Sequence, residues 1–532
     1  MPRGNRKVRA RGIAWLALPA ALLLAACGGG GVGGGTACVA PADAPPELVA
    51  GGADSHLSIV NDDDALAGLV TCMEQDVGVE AKPDPLAAEK GGGWSGGKYG
   101  NGRDFKLTLV AEVAPPTVVG APRFAGLGPD DLEAGGVFTG AFAVTYVVEI
   151  DATDAPDTFR WSDDGGATWA AEGVPVSGGA QALNRGVTVT FGATEGHIPG
   201  DAWTFDAARL MATSVGMNGN HQVVSYAVAG APRLGGLLVF QKFTKDPVLR
   251  SQALFRDAEI HAVDVSNGVV YGAGAAEPGT FAEPAELERI KLHGSRLVFD
   301  GYRRLGLPGF AATGVTRDGP IVYATSGTGG GLTAILDAPF TPDRFVPLED
   351  ARWVDEDKGL VAVARGGAAG GTLSLLDGTL PALPALDDLG FDGADVPEAK
   401  TTVQVVGGKA YVAAGRAGVQ VLSLATGQVL ATVPVPDVPG LDPADVTANA
   451  VAVEHKLVFI SFGGAGVYVA QADRPCTEPD DGTPVVLKVL GRLAFEDFAS
   501  TNHVAVLDGH LFVASGLGGL KIVRVEQGGK YY

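Results

Sequence analysis

Charge is scarce in this chain, and positive charge most of all. Asp, Glu, Lys and Arg make up 19% of the 532 residues, and 61 acidic residues face 39 basic ones, for a net charge of −22. A chain with so little positive charge has no patch for holding a polyanion, so nucleic acid is not expected as a partner. Cysteine is nearly absent: there are 4, with no C-x-x-C pair, and no structural zinc site is signalled. No G-x-x-x-x-G-K-[ST] sequence occurs, and the stretches GTGGG and GLGG read as turns rather than phosphate loops. The apolar run Ile13–Ala26 has 14 residues, short of the roughly 20 that cross a bilayer as a helix.

Glycine and proline are abundant, 79 and 33 residues, which predicts many turns and short strands. At the N-terminus, Arg3, Arg6, Lys7, Arg9 and Arg11 precede the apolar run, which ends Leu24-Ala25-Ala26-Cys27. This arrangement resembles the bacterial lipobox. The resemblance implies a signal peptide over 1–26, lipidation of Cys27, and a membrane anchor that holds an exported protein in the cell envelope. Gly28 in place of Asp implies the outer membrane in a Gram-negative host, facing the periplasm or the cell surface. Removal of 1–26 takes away five positive charges and leaves −27. With Cys27 lipidated, one disulfide is expected, either Cys38–Cys72 or one joining the N-terminal segment to Cys476.

Residues 27–104 read as a flexible Gly/Pro-rich tether with one small ordered piece around His56–Cys72. Residues 105–207 read as an all-β module, from the β-rich runs FAVTYVVEI and GVTVTFGA. Between them lies WSDDGGATW, in which Ser162, Asp164, Gly166, Thr168 and Trp169 have the spacing S-x-D-x-G-x-T-W. That spacing resembles the Asp-box of sialidases and other β-propellers, and it implies a hairpin turn rather than a catalytic site. Asp164 is expected to bond backbone N–H groups, with Gly165 and Gly166 supplying the turn and Trp169 packing beneath it. The segment from Phe159 to Phe205 resembles a β-domain of bacterial surface and phage structural proteins, which implies a small β-sandwich-like module.

Residues 208–532 repeat. HVAVLDGHLFVASGLGGLKIVRV (503–525) matches VQVVGGKAYVAAGRAGVQVLSL (403–424) and AVAVEHKLVFISFGGAGVYVA (450–470). Units start near 212, 257, 309, 350, 400, 446 and 499, spacings of 41 to 53 residues. Each reads as three clear strands and a weak fourth, the period of a propeller blade. A glycine before the third strand recurs as Gly236, Gly331, Gly371, Gly418, Gly466 and Gly519, and the second unit breaks the pattern at AEPAELERIKL. The units resemble LVIVD-type and YVTN-type repeats, whose families form β-propellers of exported bacterial proteins. The expected fold is therefore all-β: a seven-bladed β-propeller preceded by the sandwich-like module and the lipoprotein tether. Because the last unit ends at its third strand, an earlier strand must complete it, and FKLTLVAEV (105–113) is one candidate.

Aligning the first strands places Ser214, His261, Thr313, Arg352, Thr402, Asn449 and His503 at one level, all polar. In a propeller they would ring one mouth of the central channel and form a candidate ligand site. Asp257, Asp350, Glu398, Asp445 and Asp497 precede several of them. By residue type, His261, His503 and Asp257 are the candidate metal ligands, and a divalent cation such as Ca²⁺ is compatible with the acidic loops. No cofactor is predicted, no catalytic set is visible, and DDD (62–64) and EPDDG (478–482) lack the EF-hand pattern. His221 and His510 fall in corresponding turns and are expected at the surface. The expected function is a monomeric binding or interaction scaffold with envelope or surface protein partners. Two alternatives stand beside it: a lactonase-like or metal-assisted hydrolase at the channel mouth, and a structural or adhesive component of a surface assembly.

Overall fold

The computed structural model describes residues 56–61, 66, 70–76, 105–219, 221–228, 232–241, 248–367, 370–393, 400–495, 500–527 and 530–531. Residues 1–26, read from sequence as a signal peptide, and Cys27, Cys38, Glu398 and Asp497 lie outside these. The chain is all-β, and its repeat region forms seven antiparallel sheets, six built on four strands in sequence order and the seventh on three. Their first strands are Met211–Asn218, Ala258–Ser266, Gly314–Asp318, Ala351–Asp357, Val403–Val406, Ala450–Glu454 and His503–Leu507.

Second and third strands are buried on both faces, which explains their nearly continuous apolar sequences. Lys409–Ala413, Leu457–Ser461 and His510–Ala514 are buried at every residue. Fourth strands lie on the outside. Thr341–Pro347 is exposed at all but one position, so its sequence (TPDRFVP) carries little strand signal.

The apolar cores lie between the sheets rather than at their centre. Seven clusters fill seven interfaces. Tyr411, Val421, Val458 and Ile460 join the fifth sheet to the sixth, and Phe459, Val469, Leu511 and Val523 join the sixth to the seventh. Phe512, Leu520, Leu210, Val224 and Tyr226 join the seventh to the first. First strands pack on one another in the same order, and His503–Leu507 packs on Met211–Asn218.

The seventh sheet takes its fourth strand from earlier in the chain. Phe105–Val113 runs antiparallel to Leu520–Gln527, with Val113 opposite Leu520, and Val70–Asp76 adds a fifth strand beyond it. FKLTLVAEV, which also begins the stretch read from sequence as the module, thus belongs to the seventh sheet. The recurrent glycines explain why it fits there. Gly418, Gly466 and Gly519 adopt φ of +82°, +84° and +74°. A Cβ at each would overlap the carbonyl oxygen of Val433, Leu493 and Val113, respectively. Val113 therefore stands to the seventh sheet as Val433 and Leu493 stand to the fifth and sixth. Leu57–Val60 likewise adds a strand to the outer edge of the first sheet. Two pieces of the stretch read as a tether are thus ordered strands.

Residues 117–209 form two further antiparallel sheets. One contains Val144–Ala152 and Ala202–Arg209, the other Leu132–Gly136 and Val187–Phe191. Trp203, Tyr146, Val148, Phe159, Val189 and Phe191 from the two sheets meet in one core. Cys476 is a buried free thiol, so a bridge to it is not formed.

Candidate functional site

The strand pairings place the seven predicted polar residues at the start of the seven first strands, with two shifts of one residue. In the first sheet Thr213 is the extra residue of a bulge, and in the second and fourth sheets His261 and Arg352 are. Register therefore makes Thr213, rather than Ser214, the counterpart of His261 and Arg352. In the seventh sheet the counterpart is Asn502, whose N–H bonds Ala514 as the Asn449 N–H bonds Ser461.

Most of this ring ties one sheet to the next. Thr213 Oγ1 donates to the Ile260 carbonyl at 2.8 Å, and Thr313 Oγ1 to that of Ala351 at 2.9 Å. Asn449 Nδ2 donates to Thr501 O at 3.1 Å, and Asn502 Nδ2 to Ala212 O at 2.9 Å. Each acceptor sits one residue before the counterpart position of the following sheet, and the seventh sheet treats the first as its successor. Arg352 Nη1 reaches Thr401 Oγ1 at 3.3 Å, while Thr402 Oγ1 accepts from the Val451 N–H at 3.0 Å. Such bonds use both a side chain and a backbone group that burial would otherwise leave unsatisfied. The expectation of a ring free for ligands is corrected to that extent. Ser214 Oγ is buried with no hydrogen-bond partner among the described residues.

His261 departs from this pattern. Its Nε2 lies 3.0 Å from Glu259 Oε1 within its own sheet, and Glu259 also pairs with Arg233. The His261 carbonyl is taken by Lys400, which leads into the fifth sheet. Lys400 Nζ lies 5.6 Å from the centre of the Trp353 ring, and Trp353 packs on His503 with ring centres 5.2 Å apart. Residues of the second, fourth, fifth and seventh sheets thus converge. Burial, reinforced by Lys400, pushes both imidazoles down to about 3, so both are neutral at ordinary pH. Burial also lowers the Lys400 ammonium to about 7. Sequence reasoning missed Lys400 and Trp353. Lys400 sat at a repeat boundary and Trp353 one residue beyond the aligned level.

Trp353 and His503 of this cluster line a cavity of about 280 Å³, to which all seven first strands contribute residues and Thr402 adds its own. Two carboxyls deeper in it, Asp264 and Asp355, are raised by burial to about 6 and about 7. Asp355 Oδ2 accepts from the Val405 N–H at 2.7 Å, another tie between neighbouring sheets.

The candidate metal ligands do not assemble. Asp257 is held by Arg304 Nη1 and His56 Nδ1, each at 2.8 Å, away from His261 and His503. Among the described residues no three His, Cys, Asp or Glu side chains group as a metal site requires. The positive field of Lys400, which lowers both imidazoles, opposes a cation there as well. Asp481 of the EPDDG loop pairs with Arg474 and accepts from the Thr483 N–H, which makes it a turn. His510, expected at the surface, is buried at the start of its strand.

The break in the glycine pattern marks a second cluster. In AELERIKL, Glu286 and Glu288 are fully buried, and both lie on Arg304, at 2.8 and 3.0 Å. Burial raises both carboxyls, Glu286 to about 7, against the opposing pull of Arg304. One guanidinium therefore serves Asp257, Glu286 and Glu288.

The Asp-box stretch is a turn. Asp164 Oδ1 accepts from the Thr168 N–H at 2.9 Å, Asp164 Oδ2 from Thr168 Oγ1 at 2.6 Å, and Ser162 Oγ from the Gly166 N–H at 2.9 Å. The Ser162 hydroxyl, which donates to Asp164 Oδ1 at 2.6 Å, and the two Thr168 donors hold the Asp164 carboxyl down at about 2. Gly165 and Gly166 adopt φ of +73° and +91°. Trp169 lies under the Arg160 guanidinium, 4.1 Å from its ring centre. In the same module, both ring nitrogens of buried His197 sit on carboxylates, Asp157 at 3.0 Å and Asp131 at 3.1 Å. No sequence spacing pointed to that trio.

No family model matches the chain, and no curated protein matches it. Among solved structures the chain is similar to that of U3-55K, with a TM-score of 0.44 and 11% identity, over 59% of this chain and 95% of that one. It is also similar to the computationally designed Ika8 protein, with a TM-score of 0.37 and 13% identity, over 59% and 96%.

Proposed function

We propose that this protein is a lipoprotein of the cell envelope whose seven sheets are the blades of a β-propeller, and that it is a binding scaffold rather than an enzyme. The sandwich-like module stands beside the propeller, and the Cys27 lipid anchor holds both at a membrane. The observation that carries the binding reading is the cavity lined from all seven first strands, with Trp353 and His503 in its wall and Lys400 beside the Trp353 ring. The cluster has charge, aromatic surface and hydrogen-bond donors but no nucleophile paired with a base, which suits recognition better than turnover. Fold alone does not fix this choice, since propellers host both.

The test is native mass spectrometry of the protein purified in mild detergent from its own envelope fraction. A small molecule or a protein bound in fixed ratio supports a scaffold. Substrate turnover that disappears in His261→Ala and His503→Ala would overturn it in favour of a hydrolase.

A further inference from the structure

We propose that the channel mouth binds one small organic carboxylate between the Lys400 ammonium and the His503 Nε2–H, an assignment that deepens the scaffold reading and rests on it. An ammonium has three N–H donors. The His261 carbonyl takes one of those of Lys400, the Trp353 ring lies beside it, and no carboxylate pairs with it among the described residues. His503 is 8% exposed. Its Nδ1 lies 3.3 Å from the Val215 N–H, a group that can only donate, so Nδ1 accepts and the proton of the neutral ring sits on Nε2. That Nε2–H has no acceptor among the described residues. Two unanswered donors, one charged, therefore stand beside the same indole, at the upper end of a cavity with room for a small molecule.

The charge decides the ligand class. One ammonium balances one negative charge, and the other donor is neutral. A phosphate dianion would be left under-compensated, and a cation would meet Lys400 head-on. The other nearby cations are already engaged, Arg233 by Glu259 and Arg352 by Asp350. A carboxylate head at Lys400 and His503 leaves the rest of the molecule to enter the cavity. An anion so placed also offsets the burial that depresses the Lys400 ammonium.

The experiment is isothermal titration of the full chain with benzoate and with butyrate, each against its neutral amide and against inorganic phosphate. The expected result is one carboxylate per chain, with the amide and phosphate at least tenfold weaker. Lys400→Met should weaken the carboxylate at least tenfold. So should His503→Asn, whose side-chain oxygen replaces Nδ1 for Val215 while Nε2 is lost. Circular dichroism checks that each variant is folded, and Lys400→Gln takes the place of Lys400→Met if that one is not. Equal binding of amide and acid, tighter binding of phosphate, unchanged binding by the Lys400 variant, or no saturable binding of either acid at millimolar concentration each overturns the carboxylate site. None of these results touches the scaffold reading, which stands or falls with the native mass spectrometry.

Discussion

If Phe105–Val113 completes the seventh sheet, Gly519→Ala should weaken that sheet specifically. Gly519 has φ of +74°, where an L-residue costs roughly 1–2 kcal/mol. The added Cβ would also overlap the Val113 carbonyl, at the end of the Val113–Leu520 pairing. Relieving that overlap moves backbone and loosens one or two strand hydrogen bonds, at about 0.5–1.5 kcal/mol each. The expected loss is roughly 2–4 kcal/mol. Gly418→Ala meets Val433 in the same way and should cost as much. Gly390→Ala is the control: a Cβ there meets nothing within 4 Å, so stability should change by less than about 1 kcal/mol. Urea denaturation ranks the three variants. Hydrogen exchange by mass spectrometry then locates the damage, with faster exchange across Phe105–Val113 in Gly519→Ala and not in Gly418→Ala. If Gly519→Ala is no more harmful than Gly390→Ala, or if those amides are unprotected in the wild type, the closing strand is wrongly assigned.

Three further outcomes are expected. The folded pKa of Asp355, about 7, lies above its ordinary 3.8, so the stability it contributes is full below pH 4 and is lost as pH rises through 7. Asp355→Asn keeps an acceptor for the Val405 N–H and should be more stable than wild type at pH 8, on the order of 4 kcal/mol, with little difference at pH 4; parallel pH profiles in urea would contradict this. Arg304→Met leaves Glu286 and Glu288 buried without their cation and should cost about 3 kcal/mol or more, while Glu286→Gln and Glu288→Gln added to it should recover most of the loss in thermal melts. Cys27→Ser should move the protein from the membrane fraction to the soluble fraction, and a variant still retained by membranes would refute the lipid anchor.

The parts of the fold legible in the sequence were those whose burial is symmetrical. Second strands such as Lys409–Ala413 and Leu457–Ser461 are covered on both faces, so they read as apolar runs closed by glycine turns. Fourth strands face outward and read weakly, which is why Thr341–Pro347 left only a gap in the repeat. The closing strand was visible as a strand, but its partner lies about four hundred positions away in sequence, and no local pattern records such a pairing. The bulge at Thr213 accounts for the shift of one residue in the first sheet, since an inserted residue changes register without changing composition.

Polarity at the aligned level has a structural cause that only geometry reveals: a residue there lies beside the next sheet's unpaired backbone. Thr213, Thr313, Asn449 and Asn502 have side chains short enough to satisfy that backbone, and each does so. A ring used in this way cannot also hold a ligand without losing the ties between sheets. The side chains of the proposed site are those that break the pattern: His261, which bonds within its own sheet; Trp353 and His503, one residue past the ring; and Lys400, which reaches the His261 carbonyl from the lead-in to the fifth sheet. The repeat that makes the fold legible is therefore a poor guide to the proposed site. Equivalent residues hold neighbouring sheets together, and departures from equivalence are where a ligand would be recognised.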